Sequence, residues 1–229
     1  MENSRCVILV PVGHYIEPTC DEALRALEGR GHPVRRVRGY SAIDQGRNQI
    51  ATDALRAGFE ELMWIDSDVA FEPGAVDQLR SHGQPIVCGV YPKKGKRAFA
   101  CNFPPEATQV TFGKGGGLIE VPYAGAGFLY TRREVYEAIQ QRLRLPVCNE
   151  RFGPPMIPFF HPMIIPDGDS HWYLAEDFSF CRRARDCGYR ILADTTIRLK
   201  HIGSYAYNWE DAGGEPPRYA TFTFHIRKP

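Results

Sequence analysis

The first 90 residues alternate short apolar segments with segments of helical periodicity, and this alternation limits the folds open to the chain. The apolar segment at 6–12 is continuous, as expected for a strand buried on both faces. In 21–30 and 44–59, apolar residues recur every three or four positions, which is typical of amphipathic helices. The predicted strands are 6–12, 33–38, 61–66 and 85–91, and the predicted helices are 21–30, 44–59 and 74–81. This order predicts a parallel, doubly wound sheet with right-handed crossovers.

The second half of the chain has a different pattern, with shorter strands that could be antiparallel. The predicted strands are 99–103, 109–112, 118–121, 191–193 and 197–201, and the predicted helices are 132–142 and 176–188. The segment 145–170 contains six prolines and shows no periodic pattern. A loop of that length in a compact domain is usually functional or mobile, so we expect it to close over bound substrates and exclude water.

The composition argues against several classes of function. Lysine and arginine number 28 and aspartate and glutamate number 27, which gives no electrostatic reason to expect binding of nucleic acid or of an anionic membrane. No apolar segment approaches the roughly 20 residues that cross a bilayer, so no transmembrane segment is expected, and residues 1–5 lead into a strand instead of a signal peptide. The seven cysteines form no Cys-x-x-Cys pair, so a zinc site is unsupported. We expect a cytoplasmic protein with reduced thiols.

Two carboxylates, Asp66 and Asp68, end the third predicted strand. In extended backbone, positions i and i+2 share a face, so the two side chains would repel each other unless a proton or a cation lies between them. The carboxyl end of a strand in an open α/β sheet is also where such sheets bind ligands. A divalent ion bound there could coordinate a diphosphate. The motif alone is not specific, because Asp167 and Asp169 form a second pair in a segment rich in proline and glycine.

Two further features could contact a nucleotide or a sugar. Arg47, near the start of the second predicted helix, could bind a base or a phosphate by charge-assisted hydrogen bonds, although an exposed helix arginine is the simpler explanation of this residue alone. Gly125 and Gly127 flank Ala126 after a strand, and such a segment lets the backbone approach a ligand closely. A bulge or a tight turn would explain these glycines equally well.

Acidic and aromatic residues come together at the predicted helix 176–188. Glu176 and Asp177 open this helix, where the helix dipole favours acids, so capping alone could explain them. Alternatively, Asp177 is a general base that the same dipole keeps ionised, and the rings of Trp172 and Tyr173 offer a surface on which a sugar could stack.

His201 closes a late predicted strand. A histidine in such a place is more often simply hydrogen-bonded, but one that reaches the acidic pair would complete a nitrogen and oxygen ligand set for Mn²⁺. Both explanations stay open from the sequence.

In their order along residues 6–205, these features resemble the GT-A glycosyltransferases. That family combines a nucleotide-binding α/β half with an Asp-x-Asp at a strand end, a glycine-rich sugar segment, Glu-Asp on a helix and a late histidine. The resemblance implies a single domain over 1–229 with a Rossmann-like, mostly parallel sheet and a mixed or antiparallel second half. It implies a nucleotide-binding half at 1–92, a half for the donor sugar and the acceptor at 93–205, and a C-terminal tail at 206–229.

The resemblance also implies a role for each matching residue. Nucleotide contacts would come from Pro11, Val12, Arg47, Asp66 and Ser67, and donor-sugar contacts from Gly125, Ala126 and Gly127. Mn²⁺ or Mg²⁺ would be bound by Asp68 and His201, with Asp66 as a ligand or beside a metal-bound water. Asp177 would be the base of an inverting enzyme, Glu176 would hold an acceptor hydroxyl, and Trp172 and Tyr173 would contact the acceptor.

The resulting hypothesis is a metal-dependent glycosyltransferase that uses a nucleotide-sugar donor, with UDP as the default nucleotide, and a glycan or another hydroxyl acceptor. Lys93 and Lys94 could add positive charge near the diphosphate, although solvated surface lysines are the simpler explanation. Three alternatives stay open: a retaining mechanism without a base at Asp177, a non-catalytic domain that binds nucleotides or glycans, and a sugar-phosphate nucleotidyltransferase. The last would need a glycine-rich basic loop after the first strand, whereas 13–18 has one glycine and no lysine.

Overall fold

The computed structural model describes residues 2–213 and 221–226. In chain order, its elements are β1 (Cys6–Pro11), α1 (Pro18–Gly29), β2 (Val34–Val37), α2 (Ile43–Arg56), β3 (Glu61–Ile65), β4 (Val69–Ala70), α3 (Gly74–Ser81), β5 (Ile86–Gly89), β6 (Cys101–Asn102), β7 (Gln109–Gly113), β8 (Leu118–Glu120), β9 (Tyr123–Ala124), β10 (Phe128–Arg132), α4 (Arg133–Arg142), β11 (Met163–Asp167), β12 (Ser170–Leu174), α5 (Glu176–Asp186), β13 (Leu192–Asp194), β14 (Lys200–Ile202), β15 (Ala206–Tyr207) and β16 (Thr221–His225). Short 3-10 turns cover Asn3–Arg5 and Trp209–Ala212.

The central sheet has seven strands in the order β2-β1-β3-β10-β5-β13-β8. Five of these strands run the same way, while β10 and β8 are antiparallel to their neighbours. The predicted α/β class with a mostly parallel sheet and a mixed second half is confirmed. The first four predicted strands do not form one uninterrupted parallel sheet, because β10 lies between β3 and β5. Its short apolar sequence did not distinguish a strand from the approach to a helix.

Helices cover both faces of this sheet. Alternate residues of β1 face opposite sides, so Val7 and Leu9 belong to one apolar cluster and Ile8 and Val10 to the other. The first cluster includes the inward residues of α2, α4 and α5, and the second includes those of α1 and α3. Burial on both sides explains why the sequence of β1 is uniformly apolar instead of alternating.

The segment 145–170 is more ordered than the sequence predicted. Phe159 and Phe160 are fully buried, and the Phe160 ring stacks on Phe180 of α5 with centroids 4.7 Å apart. Beyond them, β11 and β12 form an antiparallel hairpin. The second acidic pair lies at the tip of this hairpin on either side of Gly168, whose positive φ of 57° suits the turn. The prediction of one irregular loop was therefore wrong for 159–170. The prolines interrupt any periodic pattern, so the sequence did not indicate the hairpin or the buried phenylalanines.

Residues predicted as a C-terminal tail pack against the domain where the structure describes them. β15 pairs with β14, and β16 pairs along its length with β7. The indole of Trp209 is buried and donates a hydrogen bond to the carbonyl of Val90 at 3.1 Å. Residues 214–220 and 227–229 of the predicted tail lie outside the described residues.

All seven cysteines are free thiols, and all except Cys148 are buried. Within 2–213 and 221–226, no helix is both long enough and apolar enough to cross a membrane.

A chain of buried hydrogen bonds connects β3, β10 and α4 beneath the central sheet. The indole of Trp64 donates to the hydroxyl of Tyr136 at 2.8 Å, and Tyr136 lies 3.0 Å from the hydroxyl of Thr131. Because Thr131 donates its own hydrogen to the carbonyl of Leu62, Tyr136 must be the donor to Thr131. The indole N–H of Trp64 is therefore satisfied only while Tyr136 keeps its hydroxyl.

We expect Tyr136→Phe to destabilise the domain by about 1–3 kcal/mol, because the buried indole N–H of Trp64 would lose its partner. The free energy of unfolding, measured by urea denaturation with an unchanged m value, tests this. Tyr189→Phe is the matched control, since its hydroxyl bonds the carbonyl of Glu134 at an exposed position. A Tyr136→Phe variant no less stable than this control would contradict the expectation.

Candidate functional site

The candidate site is a cleft of about 460 Å³ at the carboxyl ends of β1 and β3. This is the edge of an open α/β sheet where ligands are expected to bind. Six predicted site residues line the cleft: Pro11, Arg47, Asp66, Ser67, Asp68 and Glu176. Val12 is buried beside them, and its N–H donates to the carbonyl of Val37 at 2.8 Å.

The two carboxylates of the acidic pair contact different partners. β3 ends at Ile65, and residues 66–69 form a turn in which the N–H of Val69 donates to the carbonyl of Asp66 at 3.1 Å. The argument from extended backbone, which predicted that Asp66 and Asp68 share a face, was therefore wrong. The turn directs Asp66 to Arg47 and directs Asp68 to Lys94 and His201.

Arg47 is a buried centre of the site instead of an exposed helix residue. Its exposed fraction is 2%, and its Nη2 donates to Oδ1 of Asp66 at 2.7 Å. Its Nε lies 3.5 Å from Oε1 of Glu176, and the guanidinium carbon lies 5.5 Å from the centre of the Trp64 ring. Burial alone would lower the pKa of Arg47, but the charges of Asp66 and Glu176 outweigh it and raise the pKa. Arg47 thus holds two carboxylates together, and direct contact with a nucleotide stays a prediction.

Asp68 lies between two groups that favour its ionised form. Nζ of Lys94 is 2.5 Å from Oδ2, and Nε2 of His201 is 3.5 Å from Oδ1. Burial raises the pKa of Asp68, but its hydrogen bonds to His201 and Lys94 outweigh this effect and lower the pKa to about 2. Asp68 therefore carries a negative charge at any physiological pH.

His201 is oriented by its other ring nitrogen. Nδ1 lies 2.9 Å from the carbonyl oxygen of Pro92, and because a carbonyl can only accept, Nδ1 carries a hydrogen. In neutral His201, the lone pair of Nε2 then faces the carboxylate of Asp68. Two acceptors in that position require a proton or a cation between them.

This geometry suits a divalent ion bound by Asp68 and His201. An imidazole whose second nitrogen is held by a backbone carbonyl is a common arrangement in metal sites, and an oxygen and nitrogen pair suits Mn²⁺. Asp66 fits a direct ligand role less well, because Arg47 already binds its Oδ1. Within the described part of the chain, no group of three or more His, Cys, Asp or Glu residues could hold a metal ion. The predicted set of metal ligands, Asp66, Asp68 and His201, therefore stays a prediction.

The glycines of the predicted sugar segment make room for Tyr91. The N–H of Gly127 donates to the Tyr91 hydroxyl at 2.9 Å, and a Cβ at Gly125 would lie 2.6 Å from the same oxygen. A Cβ at Gly127 would also come within 2.8 Å of Oδ2 of Asp66. Ala126 between them is buried. Close packing within the protein thus explains these glycines, and their contact with a sugar stays a prediction.

Asp177 is a partly buried carboxylate at the start of α5. Burial and the charge of Glu176 raise its pKa to about 6, and the N–H of Phe178 and the charge of Arg47 offset this only in part. We expected the helix dipole to keep Asp177 ionised, but burial outweighs it, so the carboxyl group ionises near pH 6. It is therefore ionised at neutral pH and still able to accept a proton.

The predicted aromatic pair is divided between two faces of β12, because neighbouring residues of a strand point in opposite directions. Trp172 packs against Tyr123 and Phe178, with ring centroids 5.1 Å and 6.1 Å away. Tyr173 is 63% exposed. The two rings therefore do not form one stacking surface, and their contact with an acceptor stays a prediction.

Two residues of the site were underestimated from the sequence. Tyr91 looked like an ordinary strand residue, and Lys94 looked like a solvated lysine. Their roles depend on partners far along the chain, Gly127 and Asp68, so nothing in the local sequence distinguished them.

Comparisons with known proteins establish the fold. No family model matches the chain, and no curated protein matches it in sequence. Among solved structures, A197 from STIV has a TM-score of 0.57 at 16% identity, with 90% of this chain and 91% of that chain covered.

Two glycosyltransferase structures are more distant. One is a glycosyltransferase involved in glycosylation of the major capsid of PBCV-1, with a TM-score of 0.33 at 15% identity, covering 64% of this chain and 68% of that chain. The other is GalNAc-T7 with UDP, GalNAc and Mn²⁺, with a TM-score of 0.43 at 11% identity, covering 89% of this chain and 44% of that chain. The chain shares its mixed α/β fold with A197.

Proposed function

We propose that this chain is a metal-dependent glycosyltransferase that moves a sugar from a nucleoside diphosphate donor, with UDP as the expected nucleotide, to a hydroxyl acceptor. One observation carries the proposal. Asp68 and His201 face each other beside the carboxylates of Asp66 and Glu176, which Arg47 joins. The three carboxylates and Arg47 line one cleft at the ligand-binding edge of the sheet.

Asp68 and His201 would hold the ion. A bound divalent ion would neutralise the charge of the diphosphate and so make it a better leaving group. Asp68 would contribute an ionised oxygen ligand, because its hydrogen bonds to His201 and Lys94 lower its pKa. His201 contributes Nε2, which the hydrogen bond from Nδ1 to Pro92 directs at the same position.

Asp66 and its neighbours would bind the nucleoside. Arg47 occupies Oδ1 of Asp66, which leaves Oδ2 to accept a hydrogen bond from a ribose hydroxyl. Pro11 and Ser67 line the same cleft and would form the wall beside the base. Because Arg47 is buried and joins Asp66 to Glu176, it would fix the distance between the nucleoside end and the acceptor end of the site.

Asp177 would remove the proton from the acceptor hydroxyl. As the acceptor oxygen bonds to the anomeric carbon and the bond to the diphosphate breaks, the proton moves to the Asp177 carboxylate, and the configuration inverts. A pKa of about 6 suits this role, since a base works best when its pKa lies near the working pH. Glu176, which lines the cleft, would accept a hydrogen bond from an acceptor hydroxyl.

The direct test is a panel of nucleotide sugars with Mn²⁺ and simple hydroxyl acceptors, with release of nucleoside diphosphate as the readout. Release that depends on Mn²⁺ supports the proposal. Tight nucleotide binding without release would favour a non-catalytic binding domain. Pyrophosphate release from a nucleoside triphosphate and a sugar phosphate would indicate a nucleotidyltransferase.

We expect Asp68→Ala to weaken Mn²⁺-dependent UDP binding by about 100-fold or more, because the substitution removes a side chain that would bind the metal directly. Even residues that only hydrogen-bond to a metal ligand typically contribute about 10–100-fold to metal affinity. Isothermal titration of UDP with and without Mn²⁺ measures the effect. Asp169→Ala, in the second acidic pair at the hairpin tip, is the matched control and should bind as the wild type does. Equal Mn²⁺ dependence in Asp68→Ala and in the control would exclude the metal assignment.

We expect Asp177→Asn to retain UDP binding and to reduce transfer by about 10²–10⁴-fold, the usual contribution of a positioned base. The wild-type rate should rise with pH as Asp177 ionises and level off above pH 6, and this limb should be absent from the variant. Asn can still accept the hydrogen bond from Phe178, so the helix start is preserved.

Asp186→Asn is the control for Asp177→Asn, because Asp186 lies in the same helix but pairs with Arg182 at the surface. A full pH profile, measured at saturating donor, distinguishes loss of the base from weaker binding. Near-normal turnover in Asp177→Asn would point to a retaining mechanism or to a different base.

A further inference from the structure

Lys94 belongs to a tight turn that carries four cationic side chains, Lys93, Lys94, Lys96 and Arg97. The N–H of Lys93 donates to the carbonyl of Ala98 at 2.7 Å, and Pro92 and Phe99 form a β-bridge at the base of the turn. Of these four side chains, Lys94 is the one that lines the cleft.

The Lys94 ammonium occupies the position on Asp68 where a cation bound in the cleft would lie. Its Nζ is 2.5 Å from Oδ2, and both side chains are 35% exposed, so the pair is screened less than a fully solvated one. The aliphatic part of Lys94 lies over Gly203, where an added Cβ would come within 3.3 Å of its Cδ. The glycine at 203 thus lets the aliphatic part of Lys94 pack directly against the backbone.

His201 connects this turn to the proposed metal site. Its Nδ1 bonds the carbonyl of Pro92 at the base of the turn, while its Nε2 faces Asp68. The N–H of Ile202 donates to the carbonyl of Asp68 at 2.7 Å, which ties the two segments together. These bonds hold the imidazole of His201 and the backbone of Asp68 in fixed positions, and the ammonium of Lys94 reaches the Asp68 carboxylate from the turn.

We propose that Lys94 is a latch on Asp68: it neutralises this carboxylate in the ligand-free cleft, competes with a divalent ion for it, and moves to the diphosphate when a donor binds, with or without the ion. This inference rests on the proposed function. A divalent ion that binds alone must displace the ammonium or bind beside a like charge, and both are unfavourable. A diphosphate gives the ammonium a new partner, so the ion and the nucleotide should assist each other's binding by the same factor.

The test compares Lys94→Met with Lys96→Met, which removes the same charge from the same turn at a position that does not line the cleft. Titrations of the full chain with Mn²⁺ alone, and with UDP in the presence of EDTA, give the two affinities. For Lys94→Met we expect Mn²⁺ binding to become on the order of tenfold tighter and metal-free UDP binding on the order of tenfold weaker. In Lys96→Met both affinities should change less than about twofold, in keeping with screening of a more distant charge.

The opposite signs of the two changes make the result specific. Lys94→Met with unchanged or weaker Mn²⁺ binding would overturn the latch, and so would equal changes in both variants, which would indicate a general charge effect. Thermal melting verifies that both variants are folded. If Mn²⁺ and UDP bind as expected but no donor is turned over, the latch stands and the proposed catalytic function fails. If no variant binds either Mn²⁺ or UDP, both fail.

Discussion

The contact on which the site depends is the buried guanidinium of Arg47 between Asp66 and Glu176. These three residues come from α2, from the end of β3 and from the start of α5, so the ion pairs connect segments that are far apart in sequence. A buried charge that loses its partner destabilises a protein by roughly 3–5 kcal/mol. The chain can therefore bury Arg47 only when all three segments are in place, and the site forms with the fold.

This contact also explains why the two carboxylates of the acidic pair differ. Arg47 binds Asp66 on the inner side of the turn at 66–69, and Asp68 is left to the side of Lys94 and His201. Had the strand continued, both carboxylates would have shared a face and would have competed for one cation. The turn separates them, so in the proposed function Asp66 would bind the nucleoside while Asp68 would bind the metal.

The sequence was informative where local patterns determine structure. The strands β1 and β3 and the helices α2 and α5 were recognisable, since burial on defined faces imposes periodicity. The sequence was misleading where the structure depends on a residue far away in the chain. β10 inserts between β3 and β5, Phe160 anchors a proline-rich segment against Phe180, and the glycines around Ala126 accommodate Tyr91. The raised pKa of Asp177 could not be predicted for a related reason, since burial depends on what packs around the helix start.

Negative charge exceeds positive charge among the ionisable residues of the candidate site. Four carboxylates, those of Asp66, Asp68, Glu176 and Asp177, act on one another or on Arg47 and Lys94, which supply two permanent positive charges. When all six side chains are ionised, their sum is −2, the charge that one divalent ion would neutralise. The raised pKa of Asp177 reflects the same excess together with burial, because uncompensated negative charge opposes further ionisation. In the proposed function, a divalent ion bound at Asp68 would offset this excess of negative charge.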